Sequence, residues 1–159
     1  MYITILVVSA VSATTEYRLT ILHTNDFHAR FEPISKYNSS CEAEDNTAGK
    51  CFGGSARLVT AVAQARQRAA NSILVDGGDQ FQRTLFCTYY KGTLAAEMVN
   101  ALGYDALTVG NHEFDDGPQV LIGFIDAVKF PVWMSNADIG GEALLLDKIV
   151  KSAFIEQGG

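Results

Sequence analysis

Apolar residues follow two alternating rhythms along this chain: short unbroken runs, and longer stretches in which they recur three and four positions apart. The run Arg18 to Asn25 (RLTILHTN) is β-branched and aliphatic and stops at Asp26, which predicts a buried strand. A polar stretch from Asp26 to about Gly54 follows. It carries Pro33 and Gly53-Gly54 and predicts a long loop. Helical spacing then begins, with Leu58, Val59, Val62, Ala65 and Ala69 on one face and Arg57, Gln64, Arg66, Gln67 and Arg68 mostly off it, so a helix is expected to end near Asn71. Ser72 to Val75 reads as a second strand that runs into the turn Asp76-Gly77-Gly78-Asp79. Leu94, Ala95, Met98, Val99 and Leu102 repeat at helical spacing, with Gly103 where a C-terminal cap belongs. Ala106 to Val109 is a third strand, and Val120, Leu121, Phe124, Ile125 and Val128 mark a further helix. Pro131 to Met134 is a fourth strand. Past Asn136 the rhythm fades: Leu144 to Val150 reads equally as strand or helix, and the chain stops at Gln157-Gly158-Gly159. That abrupt stop predicts a fragment.

Strands alternating with helices in this way predict an α/β fold of right-handed βαβ units with a largely parallel sheet. Ligands of such sheets gather beyond the carboxyl ends of the strands. Asp26 and His28 follow the first strand, Asp79 the second, and Asn111 and His112 the third, so every polar candidate falls on one edge.

Composition narrows the function classes. The chain is 48% hydrophobic and 19% charged, enough apolar material for one core. A net charge of -6 with no basic block excludes a nucleic-acid backbone binder. An acidic chain still binds a phosphorylated small molecule when metal ions supply the positive charge. Residues 1–13 (MYITILVVSAVSA) are apolar and end in Val11-Ser12-Ala13, which predicts a signal peptide with a mature domain over 14–159; a buried first strand is the alternative. The run is far below the ~20 apolar residues of a membrane span. Cys41 and Cys51 bracket nine polar residues that a disulfide would close into a small loop, leaving Cys87 over; three reduced thiols are the alternative. Asn38-Ser39-Ser40 is a glycosylation sequon in the same loop.

The strand-end residues suit metal chemistry. Asp26-x-His28 offers a carboxylate and an imidazole, which in an extended backbone point the same way and suit zinc, manganese or iron. Asp79 follows two glycines that let the backbone bend sharply. Asn111-His112 adds a neutral oxygen and a second imidazole, and Asp115 lies close enough to hydrogen-bond that ring. Glu113 is expected to order its loop. Phe130 and Trp133 are expected in the core, His23 is expected to be structural, and Arg30 and Lys36 to be solvated loop charges.

Three strings, LTILHTNDFH (19–28), DGGDQFQ (76–82) and YDALTVGNHEFDDG (104–117), resemble the 5'-nucleotidase and apyrase family of calcineurin-like metallophosphoesterases. Cys41 and Cys51, the following Phe52-Gly53-Gly54-Ser55-Ala56-Arg57-Leu58, and Tyr90-Lys91-Gly92 look like its animal ectonucleotidase branch, which includes salivary apyrases. The resemblance implies the N-terminal part of an αββα sandwich and two divalent metal ions, zinc first and manganese, calcium or magnesium as alternatives. By it Asp26 and His28 hold the first metal, Asp79 bridges both, Asn111 holds the second, and His112 with Asp115 forms a catalytic dyad, with Asn111 and His112 also meeting the substrate. The substrate implied is a small-molecule nucleotide, and the place is outside the cell or on the outer face of the plasma membrane, with any anchor undetermined. Family members complete the metal sites with later histidines and hold the base with a C-terminal domain. This chain has only His23, His28 and His112, and Arg83 stands where relatives carry Gly. Two functions follow: a nucleotide phosphohydrolase, or a secreted nucleotide-binding protein that keeps the fold without turnover.

Overall fold

The computed structural model describes residues 5–12, 15–82 and 84–158, the first of these segments and Thr15 through their backbone only. The leader boundary at Ala13 and Thr14, and Arg83, lie outside the described residues. In chain order the elements are β1 (Ile5–Ser12), β2 (Thr15–Thr24), β3 (Ile34–Ser35), α1 (Ala43–Thr47), β4 (Cys51–Phe52), α2 (Ser55–Arg68), β5 (Ser72–Asp76), α3 (Leu85–Tyr90), α4 (Gly92–Leu102), β6 (Ala106–Thr108), α5 (Pro118–Ala127) and β7 (Val132–Trp133).

One five-stranded sheet has the order β1-β2-β5-β6-β7. The pairs β2 to β5, β5 to β6 and β6 to β7 are parallel, as the βαβ pattern predicts, while β1 lies antiparallel on the outer edge of β2. Strand order rises steadily with chain order from β2 to β7, so right-handed crossovers place the intervening helices on one face. The strands show it. Leu22 and Thr24 of β2, Ser72, Leu74 and Asp76 of β5, and Leu107 of β6 are buried, while Ile21, His23, Ile73 and Val75, pointing the other way, are half-buried. Leu22, Leu74 and Leu107 share one core with Leu58, Val62 and Ala65 of α2, Ala95, Val99 and Leu102 of α4, and Leu121, Phe124 and Ile125 of α5. His23 therefore sits on the half-covered face of β2. Phe130 packs against the core and meets Tyr104 edge to face, and Trp133 is half-buried on β7.

Several details differ from the sequence reading. The polar loop holds a miniature sheet of β3 and β4; the Cys41–Cys51 disulfide that closes it, with Cys87 left over as a buried free thiol, is as expected. Two-residue strands carry no periodicity to detect. Helix α2 stops at Arg68, because Ala69 turns extended to feed β5, and α5 stops at Ala127, leaving Val128 as its extended cap. Leu144 to Val150 is neither strand nor helix but a series of turns, ending in a bridge from Val150 to Trp133. Asn38 is exposed with φ +59°, and Arg30 is half-buried rather than solvated, donating to the Asn38 Oδ1 at 2.7 Å. Lys36 is exposed, its ammonium 4.8 Å from the Tyr37 ring centre. No helix among the described residues is long and apolar enough to cross a membrane.

Candidate active site

The hydrogen-bond ladder between β2 and β5 continues past the strands. Gly77 N–H donates to Thr24 O (2.8 Å), Asp26 N–H to Gly78 O (3.0 Å), His28 N–H to Asp79 O (2.9 Å) and Ala29 N–H to Gln80 O (2.8 Å). This backbone zipper carries the D-x-H segment and the glycine turn side by side off the sheet edge. Asp26, His28, Ala29 and Asp79 have φ of 54°, 51°, 50° and 58°, a region that non-glycine residues seldom occupy and that concentrates at functional sites. Asp26 and His28 thus converge through left-handed backbone and not through the extended geometry expected from their spacing.

Two glycines allow the third loop to close on this pair. A Cβ on Gly78 would stand 2.3 Å from Gly110 N, and one on Gly110 would stand 2.2 Å from Asp79 Oδ1. Only glycine fits either position.

Glu113 locks the assembly. It follows His112 in a short 3-10 turn (His112–Phe114) and is 0% exposed. Its Oε1 accepts from the N–H groups of Gln80 (2.7 Å) and Phe81 (3.1 Å), and its Oε2 from those of Asp79 (2.9 Å) and Gly110 (2.6 Å). One side chain thereby satisfies four backbone donors on two loops, in the loop-ordering role its position suggested. Asp79 Oδ1 in turn accepts from His112 N–H at 3.0 Å.

The chemistry-bearing side chains converge on this frame. One donor atom each from His28, Asp79 and His112 lie within 4.8 Å of one another. His28 Nδ1 faces Phe81 O at 3.0 Å, which with the proton on Nδ1 leaves Nε2 as a lone-pair donor, 3.5 Å from Asp26 Oδ1. The His28 and His112 rings meet edge to face, centroids 5.2 Å apart. His112 Nδ1 lies 2.7 Å from Asp115 Oδ2. Asn111 is exposed, and its carbonyl accepts from Phe114 N–H at 3.3 Å. Mixed imidazole and carboxylate donors of this kind suit a divalent ion such as zinc or manganese. The His112 ring falls inside the donor cluster as well as in the pair with Asp115, a double placement that spacing alone did not reveal.

A buried polar cluster supports the site from behind. Asp76, at the end of β5, accepts from the Thr24 hydroxyl and from Gly78 N–H (2.8 Å), and Thr24 also meets the Tyr104 hydroxyl. Burial pushes the Asp76 carboxyl up to about 6, against the opposing hydrogen bonds from Thr24 and Gly78. Burial likewise raises Tyr104, helped by the charge of Asp76. In the sequence Asp76 reads as a turn residue, and its only signal is a carboxylate closing an otherwise apolar strand.

Two outcomes follow. Glu113→Gln places an NH2 group against two of the four N–H donors. It should cost at least about 2 kcal/mol of stability, since unmet buried donors cost ~1–3 kcal/mol each; denaturant unfolding measures this, and a change below about 0.5 kcal/mol would refute the locking role. Asp76 binds its proton more tightly folded than unfolded, so its contribution is fully present below about pH 4 and is lost as pH rises through about 6. Asp76→Asn should therefore gain on the parent protein by about 2 kcal/mol between pH 4 and 7, and a pH-independent difference between the two unfolding curves would contradict the burial argument.

Comparison with known proteins agrees with this geometry. Residues 19–159 match the family model described as calcineurin-like phosphoesterase. A 5'-nucleotidase of Bos taurus is 46% identical over 130 residues, covering 81% of this chain and 22% of the relative. An apyrase of Tabanus yao is 38% identical over 144 residues, covering 91% of this chain and 25% of the relative. Among solved structures, a 5'-nucleotidase precursor from Thermus thermophilus superposes with a TM-score of 0.76 at 35% identity, over 89% of this chain and 26% of that one. The chain thus spans about a quarter of the length of these relatives. With nearly its whole length matched and the motif residues gathered at one sheet edge, the chain belongs to the calcineurin-like phosphoesterase family.

Proposed function

We propose that this protein is a secreted, metal-dependent phosphohydrolase that cleaves phosphate from small-molecule nucleotides. The observation that carries this reading is the hydrogen-bonded pair His112–Asp115 standing beside the donor cluster of His28, Asp79 and His112. A protein that only binds nucleotides has no use for a positioned acid-base pair next to metal donors. The curated relatives named 5'-nucleotidase and apyrase support the substrate class.

In this reading Asp26 and His28 would hold one ion, Asn111 would serve a second, and Asp79 would contribute to both. When bound, such ions lower the pKa of a coordinated water and neutralise phosphate oxygens. The residues of the chain do the rest. Asp115 accepts a hydrogen bond from His112 Nδ1–H and fixes the ring, so that the imidazolium can give its Nε2 proton to the leaving oxygen and is left neutral with Nδ1–H still on Asp115. Glu113 keeps the Asp79 and Asn111 loops in register while charge develops.

Secretion is supported by the Cys41–Cys51 disulfide, which suits an oxidising compartment. Removal of residues 1–13 as a leader would take β1 away and leave β2 paired with β5 on its other edge. The exposed Asn38 stands where an N-linked glycan would project from the loop.

The test is phosphate release from AMP, ADP and ATP by the protein expressed from its complete coding sequence, supplied with zinc or manganese. Release from AMP marks a phosphomonoesterase, and release from ADP and ATP alone marks an apyrase. His112→Ala should lower the rate by roughly a hundredfold or more, and Asp79→Ala should release bound metal, measured by elemental analysis. Absence of phosphate release from all three nucleotides, with the metal bound, would sink the enzyme reading in favour of a binding protein.

A further inference from the structure

Lys91 occupies a conformation that nothing in helix formation asks for. It is at once the last cap of α3 and the first of α4, with φ 50° and ψ -136°, a backbone state natural to glycine and strained for a residue with a side chain. The chain is pinned there from both sides. Lys91 N–H donates to Cys87 O at 2.9 Å, and a Cβ on the following Gly92 would stand 2.9 Å from both Phe124 Cβ and Phe81 Cζ. The lysine keeps one contact for its strain: Nζ lies 2.8 Å from Asp116 Oδ1, in a pair that is 45% and 27% exposed. An ion pair so open to water contributes less to stability than such a backbone costs, so stability does not account for a lysine here.

Position does. Asp116 directly follows Asp115, whose carboxylate holds His112 Nδ1 at 2.7 Å. The segment sits between the 3-10 turn and α5, where Gly117 has φ +85° and offers no side chain to hold it. We propose that Lys91 is a positioning residue: through Asp116 it clamps the loop that carries Asp115 to the α3–α4 junction, and so keeps the carboxylate on the His112 ring. This rests on the phosphohydrolase reading for its consequence in catalysis, though not for the geometry.

The experiment compares Lys91→Gly, Asp116→Asn and the double variant in the protein expressed from its complete coding sequence. Lys91→Gly relieves the backbone strain, so its thermal midpoint should stay level or rise. Meanwhile kcat for phosphate release should fall by roughly twofold to fivefold with KM little changed, the loss an exposed pair of ~0.2–1 kcal/mol can produce. Asp116→Asn should give the same fall without touching the strained backbone, and the double variant should be no worse than either single one. A second reading needs no activity. The Nδ1 proton of His112, hydrogen-bonded to Asp115 and assigned by its loss in His112→Gln, should give a downfield resonance in the parent protein that weakens or vanishes in both single variants. An unchanged resonance in both, its absence from the parent, or full kcat in Asp116→Asn overturns the clamp. A parent protein that releases no phosphate defeats the functional reading alone, and the resonance then decides the clamp.

Discussion

Four backbone N–H groups turned inward on one carboxylate are the constraint on which this site depends. Past the end of β5 the chain turns away from its neighbour strand, and buried amides left there without partners are costly. Asp79, Gln80 and Phe81 present three such amides in succession, and Gly110 presents a fourth from the next loop. Glu113 answers all of them with two oxygens. Because it lies one residue from His112, the act of satisfying the first loop also fixes where the His112–Asp115 pair stands.

The sheet supplies the rest of the precision. Parallel pairing of β2 with β5 sets Thr24 opposite Asp76, and the zipper beyond them sets Asp26 beside Gly78 and His28 beside Asp79. No side chain has to search for its partner across a flexible loop. Gly78 and Gly110 then let the third strand end approach until only backbone separates it from Asp79. Positions held by backbone in this way vary little with rotamer, so the side chains at these strand ends start from fixed places.

Much of the frame was legible in the sequence because it is periodic. Helices α2, α4 and α5 and strands β2, β5, β6 and β7 each carry a stripe or a run that burial enforces, and each lies within a few residues of its expected place. What escaped is what has no period. The six-residue α3 (LFCTYY) exposes Leu85, Tyr89 and Tyr90, so it shows no apolar stripe to read, and β3 and β4 are two residues each. The site was legible as residue types at strand ends and not as geometry. The left-handed φ at Asp26 and His28 runs against the extended reading of D-x-H. A glutamate in a loop does not announce four amide partners, and nothing in the letters Tyr-Lys-Gly marks the lysine as strained. These are products of tertiary context, in which a local preference is overridden because the surroundings determine the conformation more strongly.

The acidic residues around the site are sorted by burial, and the sorting divides their work. Glu113 and Asp76 are buried, at 0% and 3% exposure, and accept hydrogen bonds from backbone amides and the Thr24 hydroxyl. Asp26 and Asp115 are exposed and Asp79 is half-buried, and these three converge with the two imidazoles on one open edge. Three carboxylates gathered there repel a phosphate in water as firmly as they repel one another. Such an edge becomes a place for a phosphate only when divalent ions reverse its sign, and its imidazole and carboxylate donors are of the kind that hold such ions. On the proposed reading, the negative charge at this edge is what would draw in cations, and those cations would in turn admit a small phosphate ester.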